Sequence, residues 1–391
     1  MSNEIVPVRC SIVRGGTSKA IFLMNNQLPA DPKAREKMIL AIFGSPSLRQ
    51  LDGLGGADIT TSKVAIIGPP TRPDADIDYT FGQVSMDVPF VDFGGNCGNI
   101  SSGVAPFAIH HGLVNAVEPE TTVRIHMTNT DNILVAKVQV KDGEPCVDGD
   151  CEIGGVPGTA SPIEMDWSDV RGSATGKLLP TGNAQDEIEM DTVHVEGYGD
   201  FEASIVDAGN ICVYVKASDF GLTGYETPAQ INGDKELSAR LEHLRALACQ
   251  KIGLVERWED ARLVTPYQPF LVLVAPPADY DTYTGQHVAK EDTDIVVRCS
   301  VMLSIVKAFP GTGTCCTGNA ARIKGSLVYE MLSPESRAKE VLSIGHPTGT
   351  IQVTSIVEDD SGQLPKMKKV SFIRTARVLM DGTTYVRKSV L

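Results

Sequence analysis

The sequence predicts an α+β protein built as a duplicated unit, and three observations predict it. A strand, a glycine turn and a second strand occur twice, at residues 8–13, 14–19 and 20–23 and again at 201–206, 207–210 and 211–215. A glycine-rich turn carrying cysteine runs into a helical pattern twice, at 93–99 before 100–111 and at 309–316 before 317–332. β-rich segments follow each helix, at 123–127 and 133–140 in the first half and at 350–357 and 370–376 in the second. Two strand–turn–strand units alone are common in mixed proteins. The shared order and the paired Gly/Cys turns favour duplication.

The remaining elements follow from local chemistry. Asp31 and Pro32 open an amphipathic helix that runs to Phe43, with Asp31 as N-cap and Pro32 at the first position. Residues 227–252 carry Ala, Leu, Arg and Glu at helical spacing and predict one or two helices. Residues 145–159, rich in Gly, Asp and Pro, predict a solvated loop or hairpin. A break near 179–183 divides the chain into domains 1–184 and 185–391.

Composition narrows the function without naming it. The 391 residues carry 35 basic and 49 acidic side chains, a formal net charge of −14. That length fits two domains of roughly 150–200 residues each. The acidic balance argues against a nucleic-acid partner, which needs a basic face. No apolar run approaches the roughly 20 residues that span a bilayer, so no membrane partner is expected. The N-terminus shows no basic segment followed by an apolar one. Nine cysteines, an odd number scattered along the chain, fit a reducing, cytoplasmic setting better than a disulfide framework.

Several residues are candidates for chemistry. The seven histidines form no HxH or HExxH pattern, and Cys315-Cys316 has no second pair, so no metal is expected. Gly311-Thr312-Gly313 lacks the third glycine of a dinucleotide fingerprint. A glycine-preceded helix start does present free N–H groups to an anion. Asn96, Cys97, Gly98 and Asn99 form one such cradle, and Gly311, Thr312, Gly313 and Thr314 form another; each fits a structural cap equally well. At such a start a thiol pKa falls, which makes Cys97 a candidate proton carrier. Otherwise it is a small apolar filler. Cys315 holds the equivalent place in the second half, and two thiols could act on opposite faces of a carbon acid. Lys63 enters the apolar strand 64–67, where desolvation would lower its pKa and suit it to be a general base. By pattern alone it reads more readily as a surface lysine. Arg14, Ser18 and Lys19 in the first turn could bind a carboxylate or stay solvated.

Motifs along nearly the whole chain resemble one family. Arg14-Gly15-Gly16-Thr17-Ser18-Lys19 is similar to the RGGTSK signature of the PrpF family, cofactor-independent double-bond isomerases of small polycarboxylates. Leu51-Asp52-Gly53-Leu54-Gly55-Gly56 with Thr61-Ser62-Lys63 resembles its DGxGG and (S/T)SK motifs, and Gly95-Asn96-Cys97-Gly98-Asn99 its GNCGN turn. Phe81-Gly82-Gln83-Val84, Pro180-Thr181-Gly182-Asn183, Asp207-Ala208-Gly209-Asn210, Gly345-His346-Pro347-Thr348-Gly349 and Arg374-Thr375-Ala376-Arg377 also match.

The resemblance implies a diaminopimelate-epimerase-like fold. In it, two pseudo-repeated domains each wrap a mostly antiparallel sheet around a central helix, with the active site in the cleft between them. It further implies a 1,3-allylic proton shift on an acid such as aconitate, methylaconitate or methylitaconate, without cofactor or metal. Lys63 becomes the general base and acid, and Cys97 the thiol beside the substrate. Arg14, Ser18, Asn96, Gly98, Asn99 and Gly311 to Thr314 become the binding groups. Val306 stands where many members carry histidine, with Lys307 beside it. Two alternatives remain at this stage: a two-cysteine racemase using Cys97 and Cys315, and a non-catalytic polycarboxylate-binding accessory protein for a dehydratase. The sole partner implied is the small polycarboxylate, and the family is compatible with a homodimer.

Overall fold

The computed structural model describes residues 4–181, 191–362 and 364–391. The chain forms two compact units. The first comprises Met1–Glu152, Val156–Met165 and Arg374–Leu391, and the second Ile153–Gly155 and Asp166–Ile373. The boundary expected at 184–185 lies outside the described residues, as do Gly182 and Asn183. The units divide instead between Met165 and Asp166, and the last 18 residues return to the first unit. The reason is a strand pairing. Residues Ala376–Arg387 run antiparallel to β1 (Ile5–Gly15) along its whole length, from Ile5↔Arg387 to Gly15↔Ala376.

In the first unit β1 turns through Gly16 and Thr17 into β2 (Ser18–Met24). Helix α1 (Pro32–Phe43) follows, with Asp31 accepting from the Ala34 amide and proline in its first turn, as its sequence requires. Then come β3 (Lys63–Gly68), β4 (Ile77–Val84) and the short β5 (Val91–Asp92). Helices α2 (Gly98–Ser101) and α3 (Val104–His110) stand where one helix was expected, because the chain breaks register at Ser102-Gly103. β6 (Glu120–Met127), β7 (Asn132–Lys141) and β8 (Glu144–Pro145) complete the series. Met38, Ile39, Ile42 and Phe43 of α1 pack on Ile21, Leu23, Val64 and Ile66 of the sheet. The opposite face carries Ala20, Phe22, Lys63 and Ala65, because strand side chains alternate. That face meets α3, where the Phe22 and Phe107 rings lie 5.1 Å apart.

The second unit repeats the pattern. In the first, β1–β2, β2–β3, β3–β4, β4–β6 and β6–β7 pair as antiparallel, parallel, antiparallel, parallel and antiparallel. In the second, strands Gly199–Ala208, Asn210–Lys216, Phe270–Ala275, Ile295–Val301, Val341–His346 and Gly349–Asp359 pair in that same series. Helices Pro228–Gly233 and Lys235–Lys251 take the place of α1, and their Ile231, Leu241, Leu244 and Ala248 pack on Ile211, Val213, Leu271 and Leu273. The buried helix Gly311–Ala320 takes the place of α2 and α3. It begins six residues before the expected 317 and ends at Ala320, so Gly311 to Thr314 form its first turn rather than a loop ahead of it. The segment 145–159 is a small hairpin, with Cys151–Glu152 pairing Thr159–Ala160.

Candidate active site

Lys63 is fixed by sheet register. It is the first residue of β3 and the direct antiparallel partner of Gln83 in β4. Directly opposed side chains share one face of a sheet, and Lys63 Nζ donates to Gln83 Oε1 at 2.5 Å. Gln83 Nε2 donates to the carbonyls of Ser62 at 2.9 Å and Ile59 at 3.2 Å. Those two acceptors require the NH₂ group on their side, which leaves the amide oxygen facing lysine. Phe81, two residues before Gln83 and on the same face, places its ring 5.3 Å from Nζ. Lys63 is only 5% exposed. Burial pulls its pKa below the usual 10.5, while the electrostatic influence of Cys97 and Asp58 pushes back up. The surface-lysine reading is therefore wrong: β3 is buried along its entire length.

The loop before β3 is packed through its glycines. A Cβ on Gly53 would lie 2.2 Å from the Gly44 amide nitrogen, and one on Gly55 would lie 2.2 Å from the Gln50 side chain. Gln50 Oε1 accepts from Ser62 Oγ at 2.7 Å and from the Ala57 amide at 2.9 Å. The DGLGG segment is thus a compact brace for Ser62 and Lys63.

Cys97 caps α2, with its carbonyl accepting from the Ser101 amide and hydroxyl, both at 2.8 Å. Asn96 Nδ2 donates to Thr130 Oγ1 at 2.9 Å. Asn129 binds the backbone of both Phe81 and Phe93, which ties the Gly94–Asn99 turn to β4. The Tyr79 hydroxyl lies within the influence of Cys97 and Ser101, and burial raises its pKa well above 10. It therefore stays protonated.

Asn99 joins this turn to the first one. Its Nδ2 donates to Thr17 Oγ1 at 3.0 Å, and its Oδ1 accepts from Arg374 Nε at 2.9 Å. Gly16 has φ +50°, and a Cβ there would sit 2.2 Å from Asn99 Oδ1; one on Gly15 would sit 2.3 Å from the Asn99 carbonyl oxygen. The two glycines exist so that the turn can reach Asn99. Ser18 is buried at the base of that turn, paired with Gly15. Arg14 is turned back, with Nη1 donating to the carbonyls of Gly16 at 3.1 Å and Thr375 at 2.9 Å. It braces the turn through that nitrogen.

Arg374 is the residue that sequence reasoning missed as a site group. It is buried, and desolvation lowers its pKa to about 10 against the opposing effect of Cys151 and Cys97. Its signal was present in the Arg374-Thr375-Ala376-Arg377 motif. What hid it was distance along the chain, since it reaches Asn99 only because the C-terminal strand returns to β1.

In the second unit, Asn210 Nδ2 donates to Thr312 Oγ1 at 3.0 Å, and Thr314 N and Oγ1 both donate to the Pro310 carbonyl at 2.8 and 3.0 Å. Gly313 is against Phe309, where a Cβ would meet the ring at 2.9 Å. Gly311, Thr312 and Gly313 are the first three positions of this helix, whose amides have no intrahelical acceptor. Cys315 is fully buried, its thiol directed at the Trp167 carbonyl at 3.9 Å. Burial, helped by Cys316 and Asp166, pushes that thiol well above its usual 9.0. Val306 bonds the Cys299 carbonyl through its amide at 2.9 Å, and Lys307 is exposed.

The family model described as PrpF protein matches residues 5–387. The chain belongs to the PrpF family. It is 50% identical over 385 residues to the 3-methylitaconate isomerase of Eubacterium barkeri, covering 98% of each chain. It is 38% identical over 378 residues to a (4E)-oxalomesaconate Delta-isomerase of Novosphingobium, covering 96% of this chain and 97% of that one. A solved methylitaconate-delta-isomerase superposes with TM-score 0.79 at 49% identity, covering 99% of this chain and 97% of that one. A hydroxyproline epimerase from Agrobacterium vitis, 12% identical, shares the fold with TM-score 0.56, covering 99% of this chain and 93% of that one. This PrpF chain is an isomerase with the diaminopimelate-epimerase-like fold that its motifs imply. Among the described residues no helix is long and apolar enough to cross a membrane.

Proposed function

We propose that this PrpF protein moves the C=C bond of a small unsaturated di- or tricarboxylate by a 1,3-proton shift, with Lys63 as general base and then general acid. A 3-methylitaconate-type acid is the first candidate, because the 50% identical relative is named for that substrate. The observation that carries the mechanism is the burial of Lys63 in register with Gln83. Desolvation favours the neutral amine, which can accept a proton from carbon. The neutral amide oxygen of Gln83 accepts a hydrogen bond from either protonation state, so it aims Nζ without locking it as an ammonium.

The chemistry balances within one substrate. Nζ takes a proton from the carbon at one end of the allylic system, and the C–H electron pair becomes a dienolate shared with the carboxylate. The double bond moves, and Nζ returns the proton two carbons away. No electrons are exchanged with another molecule. The developing charge needs oriented donors. In the first unit these are the buried Arg374, Asn99 and Ser18, with the protonated Tyr79 close to Cys97. Asn96, Gly98 and Cys97 shape the same turn. For the second unit we keep the amides of Gly311, Thr312 and Gly313, with Thr314, as a separate proposal for a carboxylate contact.

The two-thiol reading is less well supported. Cys315 is buried in a helix with its thiol pushed strongly toward the protonated form. The test is proton NMR in deuterated water with a panel of unsaturated polycarboxylates. The expected result is isomerisation of one class of acid, with solvent deuterium entering at the allylic position. Full activity of Lys63→Ala would refute the assigned base. Thermal stabilisation by an acid without turnover would replace the enzymatic reading with a binding one.

A further inference from the structure

We propose that His110, His111 and Asp381 form a binding site for a divalent transition-metal ion of the zinc class, apart from the catalytic cluster. Sequence pattern alone excluded metals because it searched for spaced histidines. Here the two histidines are adjacent, and the third ligand comes from the far end of the chain.

The geometry arises where α3 stops. His110 is its last residue, and His111 leaves the helix at φ −89° and ψ 6°. The ring planes then stand at 80° with centroids 5.1 Å apart, instead of splaying around a continuing helix. Both face the same carboxylate. His110 Nε2 lies 3.5 Å from Asp381 Oδ2, and His111 Nε2 lies 3.3 Å from Asp381 Oδ1. Ligand atoms of all three residues fall within 4.8 Å of one another. A tetrahedral zinc with bonds of 2.0–2.1 Å spaces its ligands by about 3.3 Å. Each imidazole is already near that spacing from one oxygen of the carboxylate, His110 from Oδ2 and His111 from Oδ1, and a small turn of the exposed side chains brings both onto one ion.

An outer shell is in place. Glu144 Oε2 is 2.9 Å from His110 Nδ1, which leaves Nε2 as the outward ligand atom. Carboxylate–histidine pairs of this kind orient and strengthen metal-binding imidazoles. The Ser11 hydroxyl bonds Asp381 Oδ1, and Ser11 and Asp381 are register partners across β1 and the C-terminal strand. The His111 ring packs on Phe107 at 4.3 Å, which restricts its rotation. Three N/O ligands suit zinc, cobalt or nickel rather than calcium or magnesium, which prefer all-oxygen shells. His111 and Asp381 also line a cavity of about 370 Å³, with Arg9, Gln27 and Thr383 around it. That space accommodates a water as fourth ligand. A bound ion would tie the end of α3 to the C-terminal strand.

The experiment uses the full-length protein in chelator-free buffer, titrated with Zn²⁺ alone by calorimetry and with Co²⁺ by visible absorption. The expected result is that His111→Ala and Asp381→Asn each bind one Zn²⁺ fewer per chain than the parent, or bind that ion at least tenfold more weakly. Both variants should lose Co²⁺ absorption bands, and Zn²⁺ should raise the melting temperature of the parent more than theirs. Circular dichroism and melting without metal confirm that the variants are folded. Identical stoichiometry and affinity in parent and both variants would overturn the proposal, as would no binding by the parent. The cluster would then be an ion-pair network only.

Discussion

Replacing Gln83 by glutamate tests the proposed base through its nearest neighbour. The acceptor 2.5 Å from Lys63 Nζ would become a carboxylate. With a relaxed separation of about 3 Å and an effective dielectric of about 20, the added attraction is about 5.5 kcal/mol, or about four pH units in favour of the ammonium. The sign is unambiguous. A general base must be neutral, so raising its pKa moves the acid limb of kcat/KM to higher pH. Below that limb activity falls tenfold per pH unit. Even half of the shift, about two pH units, predicts about a hundredfold loss at any pH below the parent's own limb, with recovery on the alkaline side. Gln83→Leu should act in the opposite sense on pH. Removing the acceptor destabilises the buried ammonium, so the limb moves down, while loss of aim lowers the plateau. Both variants leave the Ser62 and Ile59 carbonyls without their Gln83 donor, at a cost of about 1–3 kcal/mol per carbonyl, so melts must first establish folding. The assay is kcat/KM from pH 6 to 10 for parent and both variants. Superimposable profiles with activity within threefold of the parent would refute Lys63 as the base held by Gln83.

Three further outcomes are expected. Gly16→Ala should cost about 1–3 kcal/mol and reduce kcat/KM at least tenfold, because its Cβ would lie 2.2 Å from Asn99 Oδ1 at φ +50° and break the Arg374 contact; thermal melts and steady-state rates measure both. Cys315→Ser should retain activity within threefold, and loss beyond a hundredfold would restore the two-thiol mechanism. Lys63→Met should be more stable than the parent at pH 7. Burial lowers the folded pKa below the unfolded 10.5, so the parent loses stability as pH falls from 10.5 to the folded value, and Met does not. The gap in urea melts should therefore close toward pH 10.5, and a pH-independent gap would show that Lys63 is not desolvated.

What could be read in the sequence was what is local. The strand–turn–strand units, the Asp31 cap with its proline, and the first Gly/Cys turn are contained in short windows, and the structure places them where those windows point. The duplication is sharper in the structure, since the two units share a series of five strand pairings. Position along the chain misled where tertiary pairing decides. A single break near 184 takes each unit as one contiguous stretch, but β1 recruits residues 376–387, so the first unit is assembled from both ends of the chain. The same return brings Arg374 to Asn99 and Asp381 to His110 and His111, none of which a local window shows. Residues 311–314 read as a turn ahead of the helix because three of the five residues 309–313 are Gly or Pro, yet the helix begins at Gly311 and its first turn is buried.

The net charge of −14 sets a further constraint on the site. The proposed di- or trianionic substrate would approach a protein whose overall field repels it, so long-range steering would supply little of its capture. Short-range groups must supply it, and the first unit holds two that fit. Lys63 and Arg374 are both buried, each hydrogen-bonded to a side-chain amide oxygen, Gln83 in one case and Asn99 in the other. Burial lowers the pKa of both. On the proposed function, a bound carboxylate would favour the charged form of both. The ligand would then stabilise the charged form of Arg374 while the proton on Lys63 stays transferable, because lysine's pKa starts lower than arginine's. In the proposed mechanism two cations of different basicity thus divide the work, with the arginine holding charge and the lysine carrying the proton.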